Sequence, residues 1–137
     1  MYILDTNVIS ELRRGKKADH NVRKWAQDIP TAGLYLSAIS ILEIEIGILL
    51  VERRDPRQGN VLRTWMNRNV LPTFVGRILA IDAMVAQRCA ALHVPDPKSD
   101  HDAMIAATAL VHSMTVATRN VSHFQPMGVS VIDPWQA

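Results

Sequence analysis

The succession of short apolar runs and longer helical segments predicts an α/β fold, a three-layer α/β/α arrangement around a mostly parallel sheet of about five short strands. Three observations predict it. Apolar runs at Tyr2-Ile3-Leu4, Leu34-Tyr35-Leu36, Ile78-Leu79-Ala80-Ile81, Thr115-Val116-Ala117-Thr118 and Val129 to Ile132 alternate with segments of helical periodicity, as βαβ units require. The first run breaks at once into Asp5, Thr6 and Asn7, and ligands of open parallel sheets bind beyond the carboxyl ends of strands. The chain has 137 residues, within the usual span of about 100–200 for one domain, and shows no repeat, low-complexity segment or linker, so residues 1–137 are read as a single domain.

Each element has its own signals. After the first strand, Val8 to Arg14 reads as a short helix stopped by Gly15, and Asn21 to Asp28 as another carrying Trp25 and ended by Pro30. Ser37 closes the second strand and stands where a helix cap belongs. Ala38 to Arg54 follows with Ile41, Leu42, Ile44, Ile46, Ile48, Leu49 and Leu50. Its β-branched residues suit a strand, but about 16 residues exceed ordinary strand length, so a buried helix is predicted. Asp55-Pro56 opens the next helix, in which Val61, Leu62, Trp65 and Met66 have the spacing of core residues. Asp82 opens another, with Met84, Val85, Cys89 and Leu92 on one side, and Pro95 and Pro97 mark a loop. From Ser99 to His112 runs an alanine-rich helix that allows close approach by its neighbours.

Composition removes several classes. Cys89 is the only cysteine, which excludes an intrachain disulfide and a cysteine-rich zinc framework and fits a reducing cytoplasm. No basic segment precedes an apolar stretch at the N-terminus, and the apolar runs are cut by Glu43, Glu45 or Gly47, so neither export nor membrane insertion is expected. The net charge of +2 is a weak argument for a polyanionic partner. Basic residues do cluster, at Arg13, Arg14, Lys16 and Lys17 and again at Arg53, Arg54, Arg57, Arg63 and Arg68, although such a cluster taken alone is usually just a solvated face.

Three acids stand where their surroundings penalise them: Asp5 after an apolar strand, Glu43 inside an apolar helix, and Asp102 opening the alanine-rich one. An ionised carboxylate in such a place needs a partner or a metal ion. Local alternatives exist for each. Asp5 can cap the helix after it, while Ser40-x-x-Glu43 and Ser99-x-x-Asp102 have capping-box spacing, though Ser37 is the better cap for Glu43's helix. Glu45, two residues from Glu43, belongs to another face.

Taken together, Leu4-Asp5-Thr6-Asn7-Val8-Ile9-Ser10, Leu36 to Ile48, Asp102 to Ala109 and Ala117-Thr118-Arg119-Asn120-Val121 resemble PIN-domain ribonucleases, nearest the VapC and FitB type toxins, across essentially the whole chain. The resemblance implies a PIN-like fold whose acids bind Mg²⁺ or Mn²⁺ and hydrolyse RNA phosphodiesters. By position, Asp5 and Asp102 would be the principal metal ligands and Glu43 a ligand directly or through water, these three being the catalytic residues. Thr6, Asn7 and Thr118 would supply supporting hydrogen bonds. Hard divalent ions do prefer oxygen ligands. The resemblance also implies a cytoplasmic homodimer neutralised by a cognate antitoxin with a DNA-binding region, in a higher assembly with it.

One departure stands out. Many relatives carry a fourth acid after the fourth strand, where this chain has Asn120, Ser122 and His123; Asn120 could orient substrate or water there, and Asp100 offers an additional ligand. Histidines form no zinc signature; His20 and His93 read as surface residues, and His101 and His123 as candidates to touch substrate. No glycine-rich phosphate loop occurs, and Asp5-Thr6-Asn7 lacks the second aspartate of a phosphatase motif. Two functions follow: a metal-dependent endoribonuclease toxin, or a catalytically weak PIN scaffold that serves a DNA-binding antitoxin in transcriptional autoregulation.

Overall fold

The computed structural model describes residues 1–137. Its sheet has five strands, all parallel, in the order β3-β2-β1-β4-β5: β1 Tyr2–Leu4, β2 Leu34–Ser37, β3 Ile78–Leu79, β4 Thr115–Ala117 and β5 Val131–Ile132. The chain builds outward from β1 to β2 and β3, then returns to place β4 against the other side of β1. The switch point therefore lies between β1 and β4. Their register pairs Ile3 with Val116 and Leu4 with Ala117, so Asp5 and Thr118 leave the sheet side by side.

Side chains alternate across the sheet, as strand geometry demands. Ile3 and Val116 face one layer, formed by α6 (Ala83–Leu92) and α7 (Asp100–Val111), with Val85, Ile105, Ala106 and Phe124 in its core. Leu4, Leu36 and Ala117 face the other, formed by α1 (Thr6–Leu12), α2 (His20–Asp28), α3 (Ala38–Arg54) and α4 (Pro56–Trp65), with Val8, Val22, Ile48 and Met66 in its core. In α7 the predicted close approach is realised: Ala103, Ala106, Ala107 and Ala109 are all fully buried.

Local signals set most boundaries. The Ser37 hydroxyl accepts a hydrogen bond from Ile39 N (3.1 Å), Asp55 caps α4 through Gln58 N, and Asp82 caps α6 through Val85 N. Neither of the alternative capping boxes forms, since Ser99 makes no side-chain cap bond and Ser37 holds the start of α3. Past α4 the helix widens into a π turn over Met66–Val70 before α5 (Leu71–Thr73). Pro72 lies in α5, two residues past the end of the π turn; having no N–H and a ring that crowds the carbonyl four residues back, it disfavours an ordinary α turn there.

Two expectations about burial are corrected. Helix α3 is buried on one side only: Ile44 and Ile48 are in the core, whereas Leu42, Ile46, Leu49 and Leu50 are exposed, Leu50 by 56%. Of the residues expected as core in α4 and just past it, Met66 is buried but Val61 lies exposed, as does Met84 in α6. The total apolarity of a helix says how much surface it offers, and only its neighbours decide how much is covered. His93 is also more than a surface residue: its Nδ1 accepts from Lys98 N at 3.1 Å, and the side chain is half-buried.

Candidate active site

Asp5 is the residue that follows β1, and its backbone N–H continues the ladder to Ala117 O (2.9 Å). Its side chain does two things. Oδ1 accepts from Thr6 N at 2.8 Å, capping α1, and Oδ2 accepts from Thr118 Oγ1 at 2.7 Å. The cap reading and the site reading are thus compatible, because the carboxylate has an oxygen for each. Asn7 Nδ2 adds a longer bond to Oδ2 (3.4 Å), and Asn7 Oδ1 accepts from Arg119 N (3.4 Å). Thr118 Oγ1 in turn accepts from Asn120 N at 3.0 Å. The end of β1 is thereby tied to the turn after β4.

Glu43 reaches the same place from α3. Its Oε1 accepts from Thr6 Oγ1 at 2.8 Å, which links the first turn of α1 to the second turn of α3. Glu45 points elsewhere, to Arg63, as the helical spacing predicts. Asp102 enters from the first turn of α7. Its proximity is read in the electrostatics of Asp5, which is 5% exposed and whose pKa is raised above the ordinary carboxylate value. Burial is the largest cause, opposed by the bonds from Thr118 and Thr6, and repulsion from Asp102 and then Glu43 raises it further.

Two histidines rim the acids. His101 Nδ1 lies 3.4 Å from Glu43 Oε2, and His123 Nδ1 lies 3.4 Å from Asp102 Oδ2. Neither has a motif signature in the sequence; position beside Asp102 and on the loop after β4 was the only signal. Arg13 shares a cleft with Thr6, Ser10 and Glu43, so one residue of the first basic cluster borders the site.

The structure therefore brings together Asp5, Thr6, Asn7, Glu43, Asp102 and Thr118. The side chains of Asp100 and Asn120 make no hydrogen bond to this group. Asp100 is exposed and faces His93 Nε2 at 3.7 Å, and Asn120 contributes its backbone N–H to Thr118 while its side chain makes no hydrogen bond. Of the residues after β4, His123 occupies the place beside Asp102.

A cation suits this donor set. Three carboxylates converge from β1, α3 and α7, one of them deeply buried, and no lysine or arginine pairs with any of them. No three of the acids or histidines close on one point as a ready-made ligand set; a hard divalent ion needs only one or two protein carboxylates, with water completing its shell.

A parallel five-stranded sheet with acids gathered at its switch point defines the class, and the chain belongs to the PIN domain family, whose profile matches residues 2–125. Among its relatives is toxin FitB of Neisseria gonorrhoeae, 38% identical, with 98% of this chain and 99% of that protein covered. The VapC ribonuclease Y4jK of Sinorhizobium fredii is 37% identical over 99% of both. The crystal structure of FitAcB from Neisseria gonorrhoeae superposes with a TM-score of 0.91 at 36% identity, covering 100% of both chains. The structure of FitAB bound to an IR36 DNA fragment gives 0.89 at 38% identity, covering 98% of this chain and 96% of the other.

Proposed function

We propose that this chain is a Mg²⁺- or Mn²⁺-dependent endoribonuclease, the toxin of a toxin–antitoxin pair, acting in the cytoplasm. The observation that carries the proposal is the buried Asp5 carboxylate, its pKa raised by burial and by Asp102 and Glu43, with no cationic side chain to neutralise the group. Such an arrangement costs stability unless a cation arrives from outside. The family membership and the ribonuclease among the relatives support RNA as the substrate.

Asp5 and Asp102 would hold the ion, with Glu43 contributing directly or through water. When bound, the ion supplies positive charge against the phosphate and acidifies the attacking water. The protein's own groups keep the acids in place. Thr118 and Asn7 fix the Asp5 carboxylate, Thr6 fixes Glu43, and Arg13 stands close enough to receive an RNA phosphate. Hydrolysis by water would leave a 5′-phosphate and a 3′-hydroxyl.

The partner is an antitoxin carrying a DNA-binding region, a reading supported by the relative solved as FitAB on DNA. An arginine or lysine of that antitoxin directed at Asp5, Glu43 and Asp102 would inhibit by taking the cation's place. The exposed apolar row Leu42, Ile46, Leu49, Leu50 and Val61 supports a homodimer, which light scattering at micromolar concentration would refute by finding a monomer. No helix is long and apolar enough to cross a membrane.

Incubation of the purified chain with a mixed tRNA pool, with Mn²⁺ and then with chelator, tests the enzyme reading. Cleavage abolished by chelator and leaving 5′-phosphate ends is the expected result. Ion binding without cleavage would favour the scaffold that serves an antitoxin in autoregulation.

A further inference from the structure

We propose that His123 supplies a nitrogen ligand to the divalent ion beside Asp102, so that the site favours Mn²⁺ and later transition ions over Mg²⁺. The proposal rests on the metal-site reading above and deepens it. His123 Nδ1 faces Asp102 Oδ2 at 3.4 Å, and it is the one basic side chain within ion-pair reach of that carboxylate. Two ligands bound at right angles about 2.1 Å from one ion stand about 3.0 Å apart. The observed separation is therefore a small adjustment away from a shared coordination edge.

The backbone holds His123 at this place. It belongs to α8 (Val121–Phe124), the short turn after β4, and the neighbouring Phe124 is fully buried against the layer that contains α7. His123 N donates to Asn120 O (3.0 Å), Asn120 N to Thr118 Oγ1 (3.0 Å), and Thr118 Oγ1 to Asp5 Oδ2 (2.7 Å). One run of hydrogen bonds thus ties the backbone of His123 to Asp5.

His101 is the competing candidate, and its surroundings give it a different task. It faces Glu43, which already accepts from Thr6 on its other oxygen, so His101 completes the fixing of Glu43. The chemical consequence follows from ligand type. Carboxylate and water suit Mg²⁺, whereas imidazole shifts preference toward transition ions.

The test uses the full chain loaded with Mn²⁺. Pulsed electron paramagnetic resonance is expected to show a directly bound nitrogen in the wild type and in His101→Gln, and none in His123→Gln. Calorimetry should show the Mn²⁺-over-Mg²⁺ affinity ratio falling by about tenfold in His123→Gln, and a fall in His123→Asp that comes from tighter Mg²⁺ binding. Bound Mn²⁺ without nitrogen coupling, or coupling that survives His123→Gln, overturns the proposal and leaves the carboxylate site standing. Absence of Mn²⁺ binding to the wild type overturns both. Should His123→Gln fail to fold, His101→Gln decides, because loss of coupling there assigns the nitrogen to His101 instead.

Discussion

The crevice between β1 and β4 and the hairpin of α3 with α4 both carry acids among apolar neighbours, yet they treat charge in opposite ways. In the hairpin, Arg63 meets Glu45 at 2.6 Å and Glu52 at 3.3 Å; its bond holds the Glu45 carboxyl below the ordinary value, and the pairing in turn raises the Arg63 pKa. In the crevice, Asp5 is bonded only to hydroxyl and amide groups, and its pKa moves the other way. The first arrangement is complete in itself. The second holds a carboxylate in position while leaving its charge uncompensated, which supports the proposal of a cation site there.

Removing the charge from the crevice should give the largest functional effect. Asp5→Asn and Asp102→Asn are each expected to lower metal-dependent RNA cleavage by more than about a hundredfold, the scale set by losing even an outer partner of a metal site. Thermal unfolding should show the fold retained, since a repelling charge is lost. Wild-type cleavage by either variant would dissolve the distinction between the two regions.

The pH dependence of the same carboxylate gives a second measurement. Asp5 has a folded-state pKa above its unfolded value, so below both values it contributes no difference, and as pH rises through the window between them the folded state loses relative stability. With chelator present, wild-type stability should gain on acidification through that window relative to Asp5→Asn. Urea midpoints at several pH values check the sign.

Packing distinguishes the hairpin. A Cβ built on Gly59 would lie 2.7 Å from Glu52 Cα and 2.4 Å from its Cγ, so α3 and α4 approach each other closely there. Gly59→Ala is expected to cost about 1–3 kcal/mol in denaturant unfolding, because backbone must shift. Thr118→Val should cost about 1–3 kcal/mol as well, by leaving the buried Asp5 oxygen and Asn120 N–H without their partner, and it should also reduce cleavage. Gly59→Ala tests structure, whereas Thr118→Val touches structure and chemistry together.

The smallest effect is expected for Arg63→Ala. Its partners lie at the surface, where ion pairs are screened. Unfolding midpoints should be nearly unchanged at moderate salt, and any difference at low salt should shrink as salt is added. A large loss that persists in high salt would mean that the hairpin depends on its charges as the crevice does.

Much of this arrangement was legible in the sequence, because it follows from local rules. Ser37 before an apolar run, Asp55-Pro56, Asp82 and the length of Ala38–Arg54 fixed α3, α4 and α6 through caps and periodicity, which act over a few residues. Asp5 after three apolar residues marked the carboxyl end of β1 for the same reason. Decisions that depend on distant contacts were made only by the tertiary structure. The strand order beside β1 brings Thr118 to Asp5 across 113 residues, and Thr6 to Glu43 across 37. Packing of Phe124 holds the turn that carries His123 to Asp102. The exposed face of α3 was settled in the same way, since periodicity marks an apolar face and burial depends on which neighbour arrives to cover it.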